Sequence, residues 1–246
     1  MCNIMNVAVS ACLLGQNVRY DGGHKHDKFI TDELGRYASF VPFCPEAIAF
    51  GTPRSSIRLA NRDDAVFVVS NENDSDLTQQ LLDKAYEEMH KISGVNLSGI
   101  IFKSKSPSCG MGSTKTYLEN GNIDTQSDGV FVTICKEKFP LLPMEEESRL
   151  QDERLRENFI IHLFAYDSIE KLKENNFSIN ALVDFHARNK FLLQAKDKKL
   201  YAILGNIVNN HENLKFEELF TNYEYNFKVA ISKKSSFEFK VNHIDL

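Results

Sequence analysis

Three cysteines follow short apolar segments of this chain. Cys12 ends the run of residues 6–11, Cys44 ends the run 40–43, and Cys109 follows the run 100–104 after a short Ser/Pro turn. In open α/β sheets, ligands bind beyond the carboxyl ends of the strands. We therefore expect the three thiols to converge at one end of a sheet. Because thiolate is a strong ligand for zinc and iron–sulfur clusters, the pattern predicts a metal or cluster site.

A fourth cysteine ligand is not evident. Structural zinc sites and typical 4Fe-4S clusters have four protein ligands. Cys2 precedes the first predicted strand, which puts it roughly 25 Å away at the opposite end, and Cys135 falls within or after the last predicted hairpin strand. Three ligands with one open position are typical of a catalytic metal centre. The alternative is that all three are core cysteines, since free cysteine is often buried.

Glu46 stands two residues after Cys44, across Pro45. Proline fixes the local backbone, so the carboxylate would keep a constant position relative to the thiol. Next to an open metal position, it could act as a general base on water or carry a proton to a leaving group. The alternative is an ordinary acidic residue at a helix start, where the helix dipole favours it.

A dense polar turn over residues 103–110 follows a predicted buried strand. Ser104 and Ser106 have the same parity, so both would face the site if the strand extended that far. Their hydroxyls could hold a polar ligand or donate to cluster sulfurs, unless this is a plain Ser/Pro loop. Earlier in the chain, Arg19, His24 and Lys25 flank a tight Asp-Gly-Gly turn and form a positive edge suited to a phosphate or a polar base.

Apolar runs alternate with helical patterns over the first part of the chain, which indicates an α/β fold with a Rossmann-like parallel sheet. We predict strands at about 4–11, 40–43, 65–69 and 99–104, helices over 27–38 and 76–92, and a hairpin over 114–135 that turns at residues 119–122.

The second part is predicted to be an all-α domain, because every proline and eleven of the twelve glycines lie before it. The boundary is set between residues 145 and 146, after a linker over 136–143. The expected helices cover 145–172, 179–195 with Ser178 as its N-cap, 200–208 and 216–231, whereas 233–246 shows no period.

Composition narrows the class of protein. The net charge of −5 argues against coating of nucleic acid by bulk charge, and no segment is long and apolar enough to span a membrane. The first fifteen residues lack a basic leader and are interpreted as a strand rather than a signal peptide. Five cysteines without a compact spacing indicate a reducing, cytoplasmic environment.

Four motifs in order resemble the thiouracil desulfidase (TudS-type) family: residues 10–15, 18–24, 44–46 and 103–110. The resemblance covers about residues 1–145. It implies a 4Fe-4S cluster held by Cys12, Cys44 and Cys109, with a catalytic Glu and Ser beside it. Glu46 matches the Glu, and the Ser is Ser104 or Ser106.

Residues 182–190, with Tyr201 and Leu204-Gly205 downstream, resemble an accessory helical domain that is often fused to that family. This second resemblance covers about residues 179–231. It implies removal of sulfur from 4-thiouridine, as a nucleotide or within tRNA. Five basic residues between 184 and 200 could form a face for RNA phosphates, with Arg188 and Lys190 as candidate contacts, although such a stretch is more often a solvated helix surface.

The resemblance implies a non-redox desulfidase. A soft thiocarbonyl sulfur would bind the open iron, water activated by Glu46 would attack the ring carbon, and sulfur would leave as sulfide. Two alternatives remain at this stage. One is a non-catalytic iron–sulfur or zinc protein, such as a sensor, and the other is an RNA-binding adaptor whose function lies in the helical part.

Overall fold

A computed structural model of the chain describes residues 4–63, 65–175, 177–210 and 215–233. The chain forms two compact units. The first comprises 1–140 with 144–151, and the second 141–143 with 152–246. The main division therefore falls after Gln151, whereas composition predicted it after residue 145, because a short strand that spans the predicted boundary belongs to the first unit.

The first unit contains eight strands and three α-helices among its described residues. The strands are β1 (Met5–Ser10), β2 (Ala38–Phe43), β3 (Ile57–Arg62), β4 (Ala65–Ser70), β5 (Gly99–Phe102), β6 (Thr114–Tyr117), β7 (Ile123–Ser127) and β8 (Met144–Glu146). The helices are α1 (Pro45–Phe50), α2 (Thr78–Ser93) and α3 (Val130–Lys138). Residues 29–36, predicted as one helix, form two short turns of other helical types.

The central sheet has the order β2-β1-β5-β8, and all of its strands are parallel. Strands β1 and β5 lie in the middle and are almost completely buried, which explains their continuous apolar sequence. The predicted parallel sheet is confirmed. Strand β8 was missed, since residues 145 and 146 had been included in a helix.

A second sheet has the order β4-β3-β6-β7 and is mixed, because β3 and β6 are parallel and both outer pairs are antiparallel. The predicted strand at 65–69 exists, but it pairs with β3 in this sheet rather than joining the parallel one. The predicted hairpin is confirmed for β6 and β7.

Helix α3 replaces the last part of the predicted hairpin. Its β-branched residues are typical of a strand, but tertiary packing overrides that preference. The ring of Phe131 packs against that of Phe43 in the core, tilted by 50° with 4.9 Å between ring centroids. Gly129 precedes the helix and packs against the backbone of the 103–110 loop. A Cβ atom at this position would lie 2.5 Å from the carbonyl carbon of Ser108. A larger residue at this position would therefore displace the 103–110 loop.

All of the regular secondary structure described in the second unit is helical, as predicted. Its helices are α4 (Glu153–Asn175), α5 (Ile179–Arg188), α6 (Lys190–Lys196), α7 (Lys198–Asn209) and α8 (Phe216–Ser232). Ser178 is the predicted N-cap of α5, its hydroxyl accepting from the backbone N–H of Ala181 at 3.3 Å. The predicted helix 179–195 is broken at Asn189.

A shared apolar core holds this unit together, and its fully buried members include Leu182, Leu204, Tyr223 and Phe227 from three different helices. Residues 234–246, for which no periodicity was found, lie outside the described part. Among described residues, no helix has both the length and the hydropathy that crossing a membrane requires.

Candidate active site

The three cysteines predicted to converge line a single cavity of about 370 Å³. Cys12 lies in the 3₁₀ turn Ala11–Leu14 directly after β1, Cys44 joins β2 to α1, and Cys109 lies in the loop after β5. Because β2, β1 and β5 are adjacent parallel strands, their carboxyl ends share one edge of the sheet. The topology thus explains how thiols so far apart in sequence reach one site.

Burial dominates the electrostatics of these thiols. It raises the pKa of Cys12 to about 12 and that of Cys44 to about 11, and it raises the pKa of Cys109 well above the ordinary value. The charge of Cys44 raises the pKa of Cys12 and of Cys109 further, whereas Lys103 and Arg19 lower that of Cys12. Three thiolates in this cavity would therefore need a cationic partner to offset their desolvation and mutual repulsion.

Three thiols around one cavity are a donor set that an iron–sulfur cluster can use. Within the described residues, no three His, Cys, Asp or Glu side chains cluster as the ligands of one metal ion do. In a four-iron cluster each thiolate binds a different iron, so the ligands need only surround a common cavity. Cys135 is buried on α3 and does not line the cavity, which corrects its expected place in a hairpin. Cys2 lies outside the described residues.

Glu46 is held in the cavity wall by the local sequence. Cys44 is extended, with φ −158°, as expected for a residue before proline, and Pro45 occupies the first position of α1. The backbone N–H of Cys44 also donates to the buried carboxylate of Glu88 on α2 at 2.8 Å. Glu46 therefore lies in the first turn of α1, and the start of this helix is fixed by Pro45 and by the hydrogen bond to Glu88.

Two serine hydroxyls donate to one oxygen of Glu46. Ser106 Oγ lies 2.8 Å and Ser108 Oγ 2.7 Å from Oε1. Ser106 Oγ also accepts from the backbone N–H groups of Ser108 and Cys109, each at 3.2 Å, so its proton is directed away from them. Ser108 Oγ is 3.3 Å from the sulfur of Cys109. The loop therefore connects a carboxylate and a thiol through hydroxyl groups.

The other oxygen of Glu46 pairs with Arg54, whose Nη2 lies 3.0 Å from Oε2. The Arg54 side chain is only 5% exposed, and its Nη1 donates to the carbonyls of Val18 and Gly51, both at 2.9 Å. A carboxylate oxygen has about two lone pairs. Oε1 uses both for the serines, whereas Oε2 uses one for Arg54, which leaves Oε2 free to accept a further proton.

Ser104 does not reach Glu46, although it lines the cavity. Its hydroxyl donates to Glu147 Oε1 at 2.8 Å, its backbone N–H donates to Glu147 Oε2 at 2.7 Å, and Glu147 is ion-paired with Lys103. Ser104 and Ser106 do not share a strand face as predicted, because β5 ends at Phe102. The structure instead brings Ser106 and Ser108 to the carboxylate. Ser108, in the Ser-Pro-Ser turn, was within the motif but was not chosen.

Three residues were predicted to form a positive edge. Arg19 and Lys25 line the cavity, whereas His24 does not. The Nδ1 atom of His24 accepts from the backbone N–H of His26 at 3.2 Å. Arg54 was missed by sequence reasoning because nothing in its local sequence connects it to Glu46.

In the second unit, the candidate RNA contacts Arg188 and Lys190 are both exposed. They lie on different helices, since α5 ends at Arg188 and α6 begins at Lys190. Lys196, counted in the same basic stretch, is 7% exposed and donates to Asn158 Oδ1 at 3.3 Å. The basic surface is therefore smaller than the sequence indicated.

Two family models match the chain. One, described as 2-thiouracil desulfurase, matches residues 7–147. The other, described as a protein of unknown function (DUF1722), matches residues 190–245, so the accessory region continues beyond the end expected near residue 231.

One curated relative is the uncharacterized protein YbbK of Bacillus subtilis (strain 168), which is 28% identical over 143 residues covering 53% of this chain and 89% of that protein. A solved structure named 4Fe-4S-dependent thiouracil desulfidase TudS is similar at 28% identity and a TM-score of 0.48, covering 60% of this chain and 94% of that one.

Proposed function

The chain belongs to the 2-thiouracil desulfurase family, and on that premise we propose that it is a desulfidase that replaces the sulfur of a thiolated pyrimidine by oxygen and releases sulfide. The observation that carries the proposal is the convergence of Cys12, Cys44 and Cys109 with Glu46 and its two serines in one cavity. The substrate class includes 4-thiouridine, as a nucleotide or within tRNA.

The proposed cofactor is a 4Fe-4S cluster held by the three cysteines. Thiolates are its usual protein ligands, and the raised pKa values of these thiols indicate a site in which bound iron would offset three buried charges. With three protein ligands, the cluster would supply an open, Lewis-acidic iron suited to a soft sulfur.

Glu46 is the proposed general base. Its free lone pair on Oε2 can accept a proton from a water molecule that attacks the ring carbon. Arg54 keeps this carboxylate in place, and Ser106 and Ser108 can exchange their bonds to Oε1 for bonds to the substrate or the leaving sulfur.

The reaction balances without an external electron donor. The water oxygen forms a bond to the ring carbon, the C–S bond breaks with its electron pair on sulfur, and both water protons leave with the sulfur as hydrogen sulfide. Glu46 would take the first proton and return it later, so no side chain is consumed.

The second unit is proposed to contact RNA through Arg188 and Lys190. Both side chains are exposed, and Arg188 lies in the last turn of α5 while Lys190 begins α6. Replacing both with glutamine should weaken tRNA binding and leave turnover of a free thiopyrimidine unchanged. Equal losses on both substrates would contradict an RNA role.

The decisive experiment is anaerobic turnover of 2-thiouracil and 4-thiouridine by cluster-loaded protein, followed as loss of near-ultraviolet thiocarbonyl absorbance and as sulfide released. We expect one sulfide for each thiocarbonyl lost, and loss of turnover in Glu46→Gln with iron content preserved. Intact thiopyrimidine after incubation with iron-loaded wild type would refute the proposal. A non-catalytic sensor would bind iron and give this negative result.

A further inference from the structure

A carboxylate lies on the apolar face of α2. The buried residues of this helix repeat at helical spacing and are Leu81, Ala85, Glu88, Met89 and Ile92, of which Glu88 is the charged one. Its side chain is only 3% exposed. Burying a carboxylate costs free energy unless the group is well partnered, so the partners of Glu88 indicate what it does.

The partners of Glu88 are found at the end of β2. Its Oε2 accepts from the backbone N–H of Cys44 at 2.8 Å. Three residues further along α2, Lys91 Nζ donates to the carbonyl of Pro42 at 2.9 Å and to Oε1 of Glu88 at 3.4 Å. Two side chains of α2 thus hold the backbone where β2 leads into a proposed cluster ligand. Glu88 does not line the cavity, so it can act on the site only through Cys44 and through its charge.

The negative charge of Glu88 is poorly compensated compared with that of Glu46. Glu46 is paired at 3.0 Å with Arg54, whose side chain is 5% exposed. The cation beside Glu88 is Lys91, which lies further away at 3.4 Å and has a side chain that is 53% exposed. Because water screens an exposed ammonium group, Lys91 offsets only part of the buried charge of Glu88.

Both features of Glu88 oppose the reduction of a bound cluster. Reduction adds one negative charge, which a fixed carboxylate nearby makes less favourable. Backbone N–H groups that donate to cluster sulfurs act in the opposite direction and raise the reduction potential. The N–H of Cys44 is bonded to Glu88 and is therefore not available for such a bond.

We propose that Glu88 is a positioning residue of the cluster site, which fixes the backbone of Cys44 and lowers the reduction potential of the cluster. This inference rests on the proposed 4Fe-4S cofactor and goes beyond the desulfidase proposal, in which Glu88 has no part. Its consequence is that the cluster stays oxidised in a reducing environment. An oxidised cluster is what the proposed chemistry requires, since the replacement of sulfur by oxygen consumes no electron.

The test is an anaerobic redox titration of the full-length, cluster-loaded protein, in which reduction is followed by electron paramagnetic resonance. Glu88→Gln removes the charge and keeps an oxygen that can accept from Cys44. We expect it to retain its iron and to raise the equilibrium constant for reduction at least about tenfold, which is about 59 mV for a one-electron couple. Glu87→Gln is the matched control, because Glu87 is adjacent on α2 but is exposed and paired with Lys84. It should leave the potential unchanged.

Two further variants separate the charge from the hydrogen bond. Lys91→Gln removes the partial counter-charge, so it should shift the potential in the opposite direction and by less than Glu88→Gln. Glu88→Ala leaves the N–H of Cys44 without its acceptor, and we expect a chelator to remove iron from this variant several-fold faster than from wild type. Glu87→Ala should lose iron at the wild-type rate.

Equal potentials of iron-loaded wild type and Glu88→Gln would overturn the electrostatic role, and equal rates of iron loss in wild type and Glu88→Ala would overturn the positioning role. If Glu88→Gln held no cluster, an unchanged potential in Lys91→Gln would overturn the electrostatic role instead. None of these measurements needs turnover. Wild type that binds a cluster but leaves thiopyrimidines intact would refute the desulfidase proposal alone, whereas wild type that binds no iron would refute the cofactor and this inference with it.

Discussion

Arg54 and Glu46 form an ion pair in the cavity wall, with Nη2 of the guanidinium 3.0 Å from Oε2 of the carboxylate. The same guanidinium donates to Val18 of the loop that follows Cys12 and to Gly51 at the end of α1. One cation therefore fixes the proposed base relative to the segments that carry two of the three thiols.

Replacing Arg54 should reduce turnover without loss of iron. In Arg54→Met the carboxylate loses one of its three partners, and displacement of a catalytic group by about 1 Å can cost about 100-fold. We expect kcat to fall far more than KM rises, with Arg54→Lys recovering part of the rate. Iron content and steady-state kinetics check this.

The control for Arg54 is Arg62→Met, which removes a cation that lies over the Phe67 ring at 5.9 Å and outside the cavity. It should leave kcat unchanged. A normal rate in Arg54→Met with a normal iron content would show that the ion pair does not position the base.

The three serines of the loop should behave differently when each is replaced with alanine. Ser106→Ala removes a hydroxyl that bonds Glu46 and two backbone N–H groups, so we expect a fall of about 100-fold in kcat/KM, and about tenfold for Ser108→Ala. The kcat/KM of Ser104→Ala should stay within about twofold of that of wild type, because the partner of Ser104 is Glu147 and not Glu46. The free energy of unfolding of this variant should fall by about 1 kcal/mol. A larger activity loss in Ser104→Ala than in Ser106→Ala would reverse this assignment.

The parallel sheet and its three cysteines were predictable because they depend on local patterns. Short, continuous apolar runs indicate buried parallel strands, and the ends of such strands must meet at one edge. Glu46 was equally accessible to sequence reasoning because Pro45 ties it to Cys44. Each of these features is determined within a few residues of the chain.

The features that the sequence did not reveal depend on packing between residues that are far apart in the chain. Helix α3 has the residue types of a strand and becomes helical in contact with the 103–110 loop, where the N–H of Phe131 donates to the carbonyl of Ser108 at 2.9 Å. Arg54 reaches Glu46 only because the chain returns at residues 51–54. Ser106 rather than Ser104 reaches Glu46 because β5 ends at Phe102, which strand parity could not reveal.

Removing a thiol should abolish cluster binding only when that thiol lines the cavity. Cys109→Ala leaves two of the three proposed ligands, so we expect the anaerobic protein to lose its brown colour and nearly all bound iron and sulfide. Cys135→Ala is the matched control, since Cys135 is equally buried but does not line the cavity. The control should keep its iron and lose about 1 kcal/mol of stability. Equal iron loss in both variants would contradict the assigned ligand set.

The second unit should be destabilised by mild acid through His162 on α4. Burial, with a smaller contribution from the charge of Lys196, lowers the pKa of His162 to about 4, and its Nε2 has no hydrogen-bond partner among described residues. The unfolded chain has the ordinary pKa near 6.5, so between pH 6.5 and 4 it binds more protons than the folded chain, and the free energy of unfolding falls as pH falls. The full difference is about 3 kcal/mol.

This loss should disappear in His162→Leu, because an apolar side chain in the same place has nothing to titrate. His90→Gln is the control, as His90 is exposed on α2. Urea unfolding at pH 7 and pH 5 should show a smaller drop in stability for His162→Leu than for wild type or His90→Gln, with carboxylate titration common to all three. His186, half-buried beside Tyr223 with a pKa also lowered by burial, contributes in the same direction and remains in each variant. An identical drop in all three proteins would show that His162 is accommodated in its charged form.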